Sequence, residues 1–143
     1  MKKIYFDMDG TIADLYGVEG WLDYLINGNP FPYANAKPMV NMNRLARRLN
    51  TLQKEGNEIC IISWLAKSST AEYDELVKRA KIAWLKKHLA SVQFDEIHIV
   101  AYGTPKHTIG EGILFDDEMP NREGWGEGAY TPEEIFEVLR SLS

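Results

Sequence analysis

The chain has 143 residues, which fits one domain, because a single hydrophobic core commonly serves about 100–200 residues, and leaves no room for a second full domain. Apolar residues make up 45% and charged residues 26% of the sequence, which is typical of a globular protein and excludes wholesale disorder. The net charge of −5 argues against a stable, sequence-blind complex with nucleic acid, which requires a basic surface.

The chain begins with a short apolar run, Lys3–Phe6, which we predict to be a strand. This beginning shows no signal-peptide pattern, and nowhere does the sequence hold the roughly 18 consecutive apolar residues of a membrane span. We therefore expect a cytoplasmic protein without membrane contact. The strand ends in the acidic sequence Asp7-Met-Asp-Gly-Thr11.

The segment 14–38 differs in character from the rest of the chain. It contains three prolines and five aromatic residues, namely Tyr16, Trp21, Tyr24, Phe31 and Tyr33. We predict one short helix near Val18–Ile26 and expect the segment to form a small lid or cap inserted into a single domain, 1–143. Its aromatic rings either stack on a planar ligand group or form a hydrophobic cluster that fixes the insertion to the domain.

The remaining elements alternate between helix and strand. Asn41 is predicted to cap a helix that stops at Gly56, and strands are predicted at 59–62, 97–100 and 112–116. Ser69-Thr-Ala-Glu72 and Thr131-Pro-Glu-Glu134 read as capping boxes that open two further helices. We expect the core face of the first of these helices to consist of Tyr73, Leu76, Val77, Ala80, Ala83 and Trp84.

This order of elements predicts an α/β, Rossmann-like fold in which a largely parallel sheet is flanked by helices. Folds of this kind bind ligands beyond the C-terminal ends of their strands. Asp7, Ser63 and Asp116 each lie at or just beyond the end of a different predicted strand. We therefore expect these three residues to meet at one site.

Two acidic pairs, Asp7 with Asp9 and Asp116 with Asp117, follow two of the predicted strands. Carboxylates gathered in this way repel one another unless a cation or a shared proton neutralises them, and Mg²⁺ prefers such oxygen ligands. By itself an Asp-x-Asp-Gly sequence also suits an ordinary turn. Lys106, between the last two predicted strands, can hold a carboxylate ionised and bind a phosphate oxygen as a point charge.

These sequences, Asp7-Met-Asp-Gly-Thr11, Ser63 after an apolar strand, Lys106 and Asp116-Asp117, resemble the four ordered motifs of the haloacid dehalogenase superfamily. The resemblance implies a Mg²⁺-dependent phosphomonoesterase. In such an enzyme Asp7 attacks phosphorus and becomes an aspartyl phosphate, and Asp9 protonates the departing alcohol and then activates a water molecule.

The same resemblance implies a ligand set for the metal and for the phosphate. Mg²⁺ is expected to be held by Asp7, Asp116 and the backbone carbonyl of Asp9, with Asp117 orienting a metal-bound water. The phosphoryl oxygens are expected to be bound by Ser63 and Lys106, together with the turn that contains Gly10 and Thr11.

Within the superfamily, three features are similar to the 5′(3′)-deoxyribonucleotidase branch, namely Lys81-Ile-Ala-Trp-Leu-Lys-Lys-His88, Phe94-Asp-Glu-Ile-His-Ile-Val100, and Lys106 placed ten residues before Asp116. The expected substrate is therefore a small phosphorylated compound, a (deoxy)nucleotide monophosphate. A sugar phosphatase and a non-catalytic module that binds a phosphorylated ligand remain open, as does the oligomeric state.

A polynucleotide end-phosphatase is a further alternative. Basic residues on the predicted helix that opens at Ser69 can guide a nucleic-acid strand or can form an ordinary solvated helix face; they are Lys78, Arg79, Lys81, Lys86 and Lys87.

Overall fold

The structure is a computed structural model that describes residues 2–142. Within these residues the strands β1–β7 span Lys3–Phe6, Ala13–Asp14, Lys37–Pro38, Glu58–Trp64, Glu96–Val100, Ile113–Phe115 and Ala129–Tyr130. The α-helices α1–α6 span Trp21–Ile26, Phe31–Asn35, Met42–Lys54, Ala71–His88, Met119–Trp125 and Ile135–Ser141. Short 3₁₀ helices span Lys106–Thr108 and Pro132–Glu134.

The main sheet has five strands in the order β5-β4-β1-β6-β7, and every neighbouring pair is parallel. The prediction of an α/β, Rossmann-like fold is thus confirmed. Strand β1 lies at the centre, between β4 and β6, so the residues that follow these three strands emerge side by side at one edge of the sheet. Asp7 and Asp116, which directly follow β1 and β6, therefore lie at this edge.

The central strand is buried on both faces. Ile4 and Phe6 belong to the larger apolar cluster, which contains the inner faces of α3 and α6, and the ring of Phe6 stacks on that of Phe115 with centroids 5.1 Å apart. Tyr5 points to the other face, where it packs with Cys60 and other fully buried residues. Burial on both sides explains why these strands read as continuous apolar runs.

A separate antiparallel pair, β2 with β3, closes the base of the 14–38 segment, and Asp14 is the register partner of Lys37. Both ends of the segment are therefore joined to each other. The predicted helix near residues 18–26 is present but begins only at Trp21, because Gly20 before it has a φ of 74°, outside the helical region. Helix α2 was not predicted.

Helix α3 has the predicted cap, since the side chain of Asn41 accepts a hydrogen bond from the backbone N–H of Arg44 at 3.0 Å. The Thr131–Glu134 capping box is also present, with the N–H of Thr131 donating to the Glu134 carboxylate at 3.0 Å. No helix within residues 2–142 combines the length and the apolar character needed to cross a membrane.

The prediction for helix α4 was wrong in two respects. The N-cap is Thr70, whose hydroxyl oxygen accepts from the N–H of Tyr73 at 3.1 Å, while the Ser69 hydroxyl bonds to Asp74. Leu76 and Ala83 are exposed, and the buried face instead consists of Tyr73, Val77, Ala80, Lys81, Trp84 and Leu85. A lysine thus occupies a core position of this helix.

Candidate active site

Lys106 lies between two carboxylates that follow neighbouring strands. Its ammonium nitrogen is 2.9 Å from Oδ1 of Asp7 and 2.7 Å from Oδ2 of Asp116, and all three side chains are buried. Burial by itself would lower the pKa of Lys106, but the charges of Asp7 and Asp116 outweigh it and raise that pKa above its ordinary value. The lysine is therefore a fixed cation in the floor of the site.

Three carboxylates form what we call the acidic cluster. One oxygen from each of Asp7, Asp116 and Asp117 lies within 4.8 Å of the others. Burial, reinforced by the charge of Asp7, raises the pKa of Asp116 to about 6 and the pKa of Asp117 to about 8. Three hard oxygen donors this close together fit a divalent cation such as Mg²⁺, which would relieve the repulsion between them.

The turn after β1 brings the two acidic pairs together. The Thr11 hydroxyl donates to Oδ2 of Asp7 at 2.9 Å and accepts from the backbone N–H of Asp117 at 3.2 Å. Gly10 has a φ of 80°, and its own N–H donates to the Ala13 carbonyl at 2.9 Å. Both residues shape the turn in this way, and their part in binding phosphate stays a prediction.

Asp116 is held in place by helix α5, which the sequence pattern did not indicate. Its Oδ1 accepts from the N–H of Glu118 at 2.9 Å, and its Oδ2 accepts from the amide of Asn121 at 3.2 Å. Arg122 donates to the backbone carbonyl of Asp116 at 3.0 Å. Pro120 at the start of this helix and Gly126 just after its end are the signals in the sequence that could have revealed it.

Asp9 and Ser63 share a hydrogen-bond donor, Lys81, for which the sequence predicts a position on the surface of a helix. Lys81 donates to Oδ2 of Asp9 at 2.8 Å, to Oγ of Ser63 at 2.5 Å and to the Trp64 carbonyl at 2.8 Å. Lys81 is fully buried, so neither a solvated helix face nor a guide for nucleic acid describes it. Ser63 is also fully buried, and its contact with phosphate stays a prediction.

The Asp9 carboxylate stands apart from the acidic cluster and lines the cavity above it. Its burial raises its pKa, as does the charge of Asp7, while Lys81 acts in the opposite direction. A carboxyl group with a raised pKa can carry a proton to a leaving group and take one back. The predicted ligation of a metal by the Asp9 backbone carbonyl stays a prediction.

The cavity has a volume of about 560 Å³ and opens over Asp7 and Asp9. The 14–38 segment forms one wall through Leu15, Tyr16, Trp21, Leu22, Leu25, Ile26 and Tyr33. Trp64 and Tyr102 also line the cavity and form an aromatic pair, with ring centroids 5.0 Å apart. The acids thus lie at the floor of a largely apolar chamber.

The aromatic residues of the segment differ in their surroundings, and the stacking of any of them on a ligand stays a prediction. Tyr33 is buried in an apolar cluster with Leu65 and Tyr73 and so fixes the segment to the domain. Tyr24 and Phe31 stack on each other, with centroids 4.9 Å apart, and do not line the cavity. Tyr16 remains 47% exposed and is therefore available to a ligand.

The sequence matches no protein-family model and no curated protein. Among solved structures, the chain is similar to a D,D-heptose 1,7-bisphosphate phosphatase from Burkholderia thailandensis, with a TM-score of 0.59 and 11% sequence identity. The similarity covers 99% of this chain and 97% of that one. The protein therefore shares its α/β, Rossmann-like fold with that phosphatase along nearly the whole length of both chains.

Proposed function

We propose that this chain is a Mg²⁺-dependent phosphomonoesterase of the haloacid dehalogenase superfamily in which Asp7 is the nucleophile. The observation that carries the proposal is the position of Asp7, which lies inside the acidic cluster, 2.9 Å from the Lys106 ammonium, at the floor of a cavity. The similarity in fold to a phosphatase supports the proposal.

The proposed reaction has two steps that use the same residues. A carboxylate oxygen of Asp7 bonds to phosphorus while the bond from phosphorus to the substrate oxygen breaks, and Asp9 gives its proton to that oxygen. Asp9 then takes a proton from water, whose oxygen bonds to phosphorus as the bond to Asp7 breaks. Inorganic phosphate leaves, and both aspartates return to their starting state.

Positive charge around the phosphoryl group comes from two sources. Asp7, Asp116, Asp117 and the backbone carbonyl of Asp9 would hold Mg²⁺, which when bound offsets the charge of the phosphoryl group. Lys106 places a second positive charge beside Asp7, where it holds the carboxylate in position and can bind a phosphoryl oxygen.

The substrate class that we propose is a (deoxy)nucleoside monophosphate. Trp64 with Tyr102, and Tyr16 with Trp21, offer aromatic surface above the acids, and base stacking on such rings contributes about 1–3 kcal/mol per base in nucleic-acid binders. The 14–38 segment would act as the lid over this base.

A sugar phosphate is the second candidate, because the phosphatase of similar fold is named for a heptose bisphosphate. A polynucleotide end has less support, since Lys81, one of the five basic residues that could guide a strand, is buried, and the net charge of the chain is −5.

The test is phosphate release from a panel of deoxynucleotides, ribonucleotides, sugar phosphates and phosphorylated oligonucleotides, with and without Mg²⁺. We expect release from mononucleotides, and only with Mg²⁺. Preferred release from oligonucleotides with a steep salt dependence would identify an end-phosphatase instead. Stoichiometric binding of a phosphorylated compound with no release from any of them would replace the enzyme by a non-catalytic binding module.

A further inference from the structure

Lys81 has no hydrogen bond left to offer a substrate. Its ammonium group has three N–H donors, and three oxygens accept from it, namely Oδ2 of Asp9, Oγ of Ser63 and the carbonyl of Trp64, at 2.5–2.8 Å. The group is also 5.0 Å from the centre of the Tyr33 ring. Any effect of Lys81 on a bound substrate must therefore pass through the residues that it holds.

A buried lysine at this position is costly unless it has a specific use. Removing a charge from water costs free energy that is only partly recovered on relaxation, and ion pairs of this kind often stabilise a fold no better than apolar residues of similar volume. A methionine here would fill comparable space among Tyr73, Val77 and Trp84, which share the buried face of α4. Packing alone does not account for the lysine.

The contact with Asp9 engages only one of its two carboxylate oxygens. Lys81 bonds Oδ2, whereas no group within residues 2–142 donates to Oδ1, and Asp9 lines the cavity. Lys81 is distinct from Lys106, which contacts Asp7 and Asp116 on the other side of the site.

We propose that Lys81 is a positioning residue that holds Oδ2 of Asp9 and so aims Oδ1 at the oxygen of the leaving group. The bonds to Ser63 and Trp64 anchor the ammonium group to the end of β4, so that Asp9 is held against a rigid strand. This inference rests on the proposed phosphatase function and adds to it a residue that lies outside the four motifs.

Lys81→Met removes the hold on Asp9 without removing the carboxylate. A displacement of about 1 Å in a catalytic group can cost about 10²-fold in rate, so we expect kcat to fall by up to that factor while KM changes little. The loss should be large for an alkyl phosphate, whose leaving oxygen needs a proton. In kcat/KM, which reports only the steps up to formation of the aspartyl phosphate and not the later attack of water, it should be small for para-nitrophenyl phosphate, whose leaving group is stable as an anion.

The experiment measures kcat and KM for both substrates in wild type, Lys81→Met, Asp9→Asn and the double variant. Lys86→Met, at an exposed position of the same helix, is the control and should match wild type. If Lys81 acts through Asp9, Lys81→Met should cost little further activity once Asp9 is Asn. An equal loss of kcat/KM for both substrates, or the same loss in both backgrounds, would overturn the inference and leave Lys81 a structural residue.

Lys81→Met leaves the Asp9 carboxylate without its cation, so Lys81→Arg, which keeps the charge, is measured beside it. A planar guanidinium cannot present three donors from one nitrogen, and we expect the same dependence on the leaving group. A kcat equal to that of wild type in both Lys81→Arg and Lys81→Met would refute the inference about Lys81 and leave the proposed phosphatase function standing. Absence of phosphate release by the wild-type protein would instead refute the proposed function.

Discussion

The carboxylate of Asp117 occupies the space that a β-carbon on Gly10 would fill. The turn after β1 and the turn after β6 therefore touch at a point where only glycine fits. Gly10 also has a φ of 80°, in the left-handed region that other residues adopt at a cost. Two independent requirements thus select glycine at this position.

Gly10→Ala should displace Asp117 and so weaken the acidic cluster. The backbone cost of about 1–2 kcal/mol applies equally to Gly28→Ala, where φ is 70° and no atom lies within 4 Å of the new carbon. We expect urea unfolding to show a loss of stability in both variants, at least as large in Gly10→Ala because its new carbon meets Asp117, but only Gly10→Ala to lose Mg²⁺-dependent phosphate release. If Gly10→Ala kept the Mg²⁺ dependence of the wild-type protein, the claim that a side chain at this position disturbs the acidic cluster would be wrong.

Lys106→Met should strongly destabilise the metal-free protein, because Asp7 and Asp116 would remain buried without their cation. Removing one partner of a buried pair costs about 3–5 kcal/mol. Arg79→Ala breaks the exposed pair with Glu75 and should cost at most about 0.5 kcal/mol. Denaturant unfolding in the presence of a chelator measures the loss in free energy of unfolding for both variants. Equally small losses would show that the Lys106 ammonium is not needed for stability.

Mg²⁺ binding can be measured without any substrate. A ligand that binds only the folded state stabilises it by about 2.7 kcal/mol at a hundredfold excess over its Kd, so Mg²⁺ should raise the Tm of the wild-type protein and chelator should reverse the shift. Asp117→Asn should reduce this shift, whereas Glu127→Gln, at an exposed position outside the cluster, should retain it. A Tm that does not respond to Mg²⁺ would refute the proposal that the acidic cluster binds this metal.

Tyr16→Leu tests whether the exposed aromatic surface of the 14–38 segment binds a base. Loss of a stacking contact of about 1–3 kcal/mol corresponds to a rise in KM of about 5- to 150-fold. We expect this rise for a nucleotide and not for a sugar phosphate. Phe31→Leu, in the same segment but outside the cavity lining, is the control; equal effects of the two variants on KM would argue against stacking.

The parts of the fold that depend on local pattern could be predicted from the sequence. The strands β1, β4, β5 and β6 are short apolar runs, and the rule that ligands bind beyond parallel strand ends led to Asp7 and Asp116. Their convergence with Lys106 is seen in the structure. These inferences needed only residue type and order along the chain.

Lys81 could not be found in this way, because hydrophobic periodicity assigns a lysine to the solvated face of a helix. Its burial depends on Asp9 and Ser63, which lie 72 and 18 residues away in the chain. Helix α5 was not predicted for a similar reason. Residues 119–125 include no buried side chain, so they carry no periodic apolar pattern that would indicate a helix. It is held in place by the contacts around Asp116 and by Trp125, which packs against Tyr5, and no local pattern encodes these contacts.

The central claim is that Asp7 forms a bond to phosphorus, and the most direct test is phosphate release by Asp7→Asn compared with wild type at saturating Mg²⁺. Asparagine has nearly the same shape and can keep contacts with Thr11 and Lys106, so circular dichroism and the Tm serve to confirm that the variant is folded. We expect the folded variant to release no phosphate above the uncatalysed rate. Release at a rate close to that of wild type would contradict the claim.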